Sequence, residues 1–137
     1  MLKPLALSAA ALAMLAAPVS QADETGEMTR GEKELAKILD GRIAGEPESC
    51  IRTFGSRSLR TIDDTALVYD AGDTVWVNYT QHPDSLDNDD YLVIERFSGS
   101  MLCRTDRITT RDRFGNFFSG VVFLDDFIPY RKVEDEG

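Results

Sequence analysis

Histidine, tryptophan and cysteine are all scarce in this sequence, which holds one His, one Trp and two Cys in 137 residues. A single histidine rules out paired-histidine spacing for zinc, and no G-x-S-x-G elbow is present to raise a nucleophile. His82 stands beside Pro83 and Asp84 in a turn-like segment. A general base needs a group to act on and another to orient it. Sequence adjacency supplies neither, so His82 reads as an exposed loop residue, and no catalytic residue, metal ligand or cofactor is assigned. Basic residues are also in deficit, 15 against 24 acidic ones. So acidic a surface repels phosphate backbones and anionic headgroups, which excludes nucleic acid and bare membrane as natural partners. Long apolar runs are missing too: the longest, residues 5–17, has about 13 residues where a spanning helix needs roughly 20.

That short run has another reading. Lys3 gives a positive start, residues 5–17 an apolar centre and Pro18 a break, and Ser20-Gln21-Ala22 offers small residues ahead of Asp23. This is the pattern of a cleavable export signal over residues 1–22, implying a periplasmic or secreted protein with no stable membrane anchor after cleavage. Losing Lys3 takes the formal charge from −9 to about −10. The mature chain has room for one domain, residues 23–133, and ends in an acidic tail, residues 134–137, expected to be disordered.

Export also decides how Cys50 and Cys103 are read. They lack C-x-x-C spacing, and in an oxidising compartment a structural disulfide between them leaves no thiol over.

Thr29-Arg30-Gly31-Glu32 fits a capping box, followed by Leu35, Ala36, Ile38 and Leu39 at helical spacing and a stop at Gly41. Beyond Pro47 the period turns to that of strands, expected at 49–54, 59–62, 65–69, 74–79, 91–97, 107–111 and 121–127. In the last of these, Val121, Phe123 and Phe127 are expected to point inward. The fold class is therefore α+β and predominantly antiparallel β, a small roll or open barrel of five to seven strands with one N-terminal amphipathic helix. The clearest hairpin joins 65–69 to 74–79 through Asp70-Ala71-Gly72-Asp73. Closing that turn with Tyr69 opposite Thr74 sets Leu67 against Trp76 and Thr65 against Asn78. Both faces are largely apolar, so both should be covered, one of them by the helix. Burial is the expected state of Tyr69 and Trp76; the functional alternative is an exposed aromatic patch.

Four arginines crowd residues 104–113, and strand alternation puts Arg107, Thr109, Arg111 and Arg113 on one face. Cross-strand ion pairing is the expected fate of these cations, with anionic ligand binding the functional alternative. Phe114, Phe117 and Phe118, around Gly115-Asn116, read as a loop folded back on the core. Asp84, Asp87, Asn88, Asp89 and Asp90 bunch oxygen ligands of the kind calcium takes, but they lack the EF-hand register and its bidentate glutamate, so they read as solvated turn acids. Asp63-Asp64 and Asp125-Asp126 are adjacent pairs whose members would face opposite ways on a strand.

In order along the chain, Ala44-Gly45-Glu46-Pro47 before Ser49-Cys50-Ile51, Asp64-Thr65-Ala66-Leu67-Val68-Tyr69, Leu102-Cys103-Arg104 and Phe127-Ile128-Pro129-Tyr130 resemble a family of small exported proteobacterial proteins of uncharacterised function. The resemblance implies a bacterial envelope setting and cysteines that belong to the fold. It brings no catalytic residue, substrate or cofactor. The expected function is non-enzymatic binding of an envelope protein or exported ligand, with Tyr69, Trp76, Arg107, Arg111 and Arg113 as the candidate surface. The enzymatic alternative is a small metal-dependent or hydrolytic activity built on His82 and the acids of residues 84–90.

Overall fold

The computed structural model describes residues 27–54 and 57–133. The expected export signal, residues 1–22, and the expected disordered tail, residues 134–137, lie outside the described residues. The helix α1, Arg30–Ile38, starts as the capping box dictates: the Thr29 hydroxyl accepts from Glu32 N (3.2 Å) and the Glu32 carboxylate from Thr29 N (2.8 Å). Strands come next at β1 Arg42–Ala44, β2 Cys50–Arg52, β3 Arg60–Ile62, β4 Ala66–Asp70 and β5 Thr74–Asn78. After a 3-10 turn at Pro83–Ser85 stand β6 Asp90–Glu95, β7 Met101–Cys103, β8 Arg107–Asp112, β9 Phe118–Val122 and β10 Ile128–Lys132. The described residues thus form a mostly antiparallel β protein with one helix, in ten strands rather than five to seven. The difference comes from β1, β7 and β10, which are short or contain Pro129 and so show no alternation of their own.

Three sheets result: β1-β10-β5-β4-β3, β2-β7 and β6-β8-β9. The first is covered on both faces. Leu35 of α1 joins Ile62, Ala66, Val68, Val75 and Val77 on one side. On the other, Leu67 and Tyr69 pack with Ile51, Leu102, Ile108, Val122, Leu124 and Phe127. The helix lies close to the sheet because residue 31 is glycine; a side chain there would collide with the Asp63 carbonyl and the Thr65 hydroxyl. Cys50 and Cys103 stand opposite each other across β2-β7 and are joined by a disulfide.

The β4-β5 register differs from expectation by two residues. Tyr69 faces Trp76, Val68 faces Val77 and Leu67 faces Asn78. The cause is Gly72, whose φ of +94° suits it to the first central position of a two-residue turn, so Ala71 N donates to Thr74 O (2.9 Å) and the pairing continues closer to the turn. A slip of two keeps every side chain on its face, so the division into two apolar sides is unaffected.

Two expectations about β9 and its turn are corrected. Val122, Leu124 and Phe127 point inward, whereas Val121 and Phe123 are exposed. The ladder pairs Ile108 with Val122 and then shifts between Thr110 and Arg111, which sets the phase that a run of four apolar residues leaves open. Phe114, Phe117 and Phe118 do not fold back on the core; they are 92%, 73% and 61% exposed.

Candidate functional site

Tyr69 is only 1% exposed, and its hydroxyl accepts from Phe54 N at 2.7 Å. Trp76 is half-buried and packs on the same core. Their side of β4-β5 is interior, which removes Tyr69 from any contact surface. Beside it, Asn78 is fully buried: its Nδ2 donates to Asp125 O (2.6 Å), and its Oδ1 accepts from Thr80 N (3.0 Å) and Asp125 N (2.9 Å). The amide thus fixes the chain segment entering β10. On the helix side of the sheet, the Tyr79 and Tyr130 hydroxyls meet at 2.8 Å. Partial burial, and then this hydrogen bond, push the Tyr79 hydroxyl well above the usual phenol range.

The arginines divide. Arg107 and Arg111 lie with Thr109 on the outer face of β6-β8-β9, since Ile108 and Thr110 take the buried alternate positions. Arg113 is past the end of β8, in the turn, so it leaves the stripe. None of the three makes an ion pair among the described residues; the pairs formed are Arg57 with Asp70, Arg60 with Glu34 and Arg104 with Asp126. Arg107 stands opposite Glu95, and Arg111 opposite Tyr91 and Phe118, with Arg111 Nη1 donating to Asn116 O at 3.4 Å. The expected cross-strand ion pairing therefore does not form at these three: Arg107 faces Glu95 without closing an ion pair, Arg111 has aromatic residues on both sides, and Arg113 lies beyond the ladder. The same face carries Val93 and the exposed Phe118 and Val121. Apolar area and unpaired guanidinium groups thus share one sheet face.

Asp87 and Asp90 of the acidic loop are engaged in hydrogen bonds within the fold, and Asp63 holds the loop backbone at Asn88. Asp87 Oδ1 accepts from Asp89 N (2.9 Å), Asp63 Oδ1 from Asn88 N (2.6 Å), and Asp90 Oδ2 from the Ser119 hydroxyl (2.9 Å). His82 is exposed, with its ring edge-on to Phe123 at 6.2 Å between centroids. Among the described residues no three His, Cys, Asp or Glu side chains gather where a metal could be held.

Sequence reasoning missed a cleft of about 570 Å³. One wall is residues 58–61, at and before β3; the other is residues 90–92 at the start of β6, with Asn88, Glu34 and Arg113 completing the lining. The Asp64 N to Leu86 O bond (2.9 Å) and the Asn88 N to Asp63 Oδ1 bond tie the two walls near β4. No local pattern signals such a cleft, because it depends on how two sheets meet. No known protein family, curated protein or solved structure matches this chain.

Proposed function

We propose that this chain is an exported, non-enzymatic binding domain. It acts in a bacterial envelope or outside the cell, after removal of residues 1–22, on an envelope protein or exported ligand that presents anionic groups beside apolar surface. In this reading the three sheets make up an open roll, and the working surface is the outer face of β6-β8-β9. The observation that carries it is the company Arg107 and Arg111 keep: two cations with no ion-pair partner among the described residues, beside exposed Phe118 and Val121. A guanidinium presents a planar fork of donors suited to carboxylates, and apolar surface of this kind favours contact when water leaves it. The disulfide is compatible with an oxidising compartment.

Crosslinking and affinity capture from periplasmic extract, using residues 23–137 as bait, test this reading. Wild-type bait should recover a defined partner that a bait carrying both Arg107→Ala and Arg111→Ala loses, with the thermal midpoint of the bait unchanged. Equal recovery by both baits, or no recovery by either, would overturn the surface assignment. Sequencing the N-terminus of the native protein should give Asp23 first.

A further inference from the structure

We propose that the cleft between β3 and β6 receives an extended segment of a partner polypeptide, which adds a strand between the two sheets and places an acidic side chain against Arg113. Both walls are sheet edges. In strand order β3 has only β4 as a neighbour and β6 only β8, so each turns an unpaired edge outward. Consecutive residues line each side, 58–61 and 90–92. A strand that presented a face would contribute alternate residues, so it is the edges that border the cleft.

The walls start from a common point. Asp64 bonds to Leu86 and Asn88 to Asp63. From there one wall runs backward along the chain through β3 and the other forward through β6, so the two edges run antiparallel as they separate. A strand entering between them would lie antiparallel to one edge and parallel to the other, and both offer main-chain donors and acceptors. At about 3.3 Å per residue, the edges accommodate roughly four to six residues of guest.

Side-chain charge selects within that class. Arg60 is held by Glu34, and Asp90 accepts from Ser119. Arg113 has no carboxylate partner among the described residues, and it is the lining cation left to meet one from the guest. This site is separate from the outer face of β6-β8-β9, and the two readings stand or fall independently.

Panning a random dodecapeptide display library on residues 23–137, the portion that contains every described element, tests the inference. Selected peptides are then mapped on the isotope-labelled protein by amide shifts. The expected peptides are rich in β-branched residues and carry an acid, shift the amides of residues 58–61 and 90–92, and lose binding when alternate backbone nitrogens are methylated. Arg113→Ala, an exposed turn substitution, should weaken them about fivefold without moving the thermal midpoint. Failure to select any peptide, or binding that tolerates N-methylation, overturns the inference. Shifts confined to Val93, Thr109 and Val121 would also overturn it, while leaving the outer-face reading in place.

Discussion

Thr80 is the residue at which local cost is most concentrated. It is β-branched with φ of +57°, it is buried, and its hydroxyl finds no partner among the described residues. Left-handed backbone costs a β-branched residue on the order of 1–2 kcal/mol, and a buried hydroxyl without a bond adds to that. Thr80→Gly should therefore raise stability by about 1 kcal/mol, read from the urea midpoint, even after the added freedom glycine gives the unfolded chain. Thr80→Val keeps the strain and removes the hydroxyl, so it should gain less. Tyr79 gives a pH signature at the same scale. Its folded-state pKa is raised, so the hydroxyl stays protonated in the native state after it has ionised in the unfolded chain. Its contribution is complete below the ordinary phenol pKa near 10 and is lost progressively as pH climbs above that value. In urea melts between pH 9 and 11, Tyr79→Phe should show a shallower alkaline decline than wild type. Neither feature was legible in the sequence, where Thr80 and Tyr79 are ordinary members of an apolar-to-polar transition.

At the scale of elements, the sequence was readable wherever a local pattern was complete. The capping box and the apolar spacing of 35, 36, 38 and 39 located α1 because a helix satisfies its first amides within four residues. The β4-β5 hairpin was readable too, but its register depended on which residue of Asp70-Ala71-Gly72-Asp73 took positive φ. The outer face of β6-β8-β9 was half legible. Alternation placed Arg107 and Arg111 together, but the phase of Val121-Val122-Phe123-Leu124 was set by a bulge opposite Thr110 and Arg111, which no pattern within β9 encodes. The approach of α1 to its sheet likewise rests on a non-local fact at Gly31. Gly31→Ala should destabilise by about 1–3 kcal/mol despite alanine's better helix propensity, because the methyl meets backbone at Asp63 rather than a side chain free to swing away. Calorimetric melting checks this, and an unchanged or raised midpoint would contradict the close packing.

For the whole molecule, the disulfide is the largest single constraint. It closes a separation of 53 residues, worth about 4 kcal/mol in the chain-entropy model. Replacing both Cys50 and Cys103 with serine should lower the unfolding free energy by about 2–4 kcal/mol, seen as a lower urea midpoint than that of the oxidised wild type. The pairing was legible because two cysteines allow one arrangement, whereas the cleft was not, since it exists only once separate sheets are brought edge to edge. The bond has a topological consequence as well. Everything between residues 50 and 103, including β3, β6 and the exposed turn around Phe97, sits within one covalent ring. A protease that cuts that turn once does not release a fragment: the nicked protein keeps its full mass on a non-reducing gel and separates into two pieces only when a thiol is added.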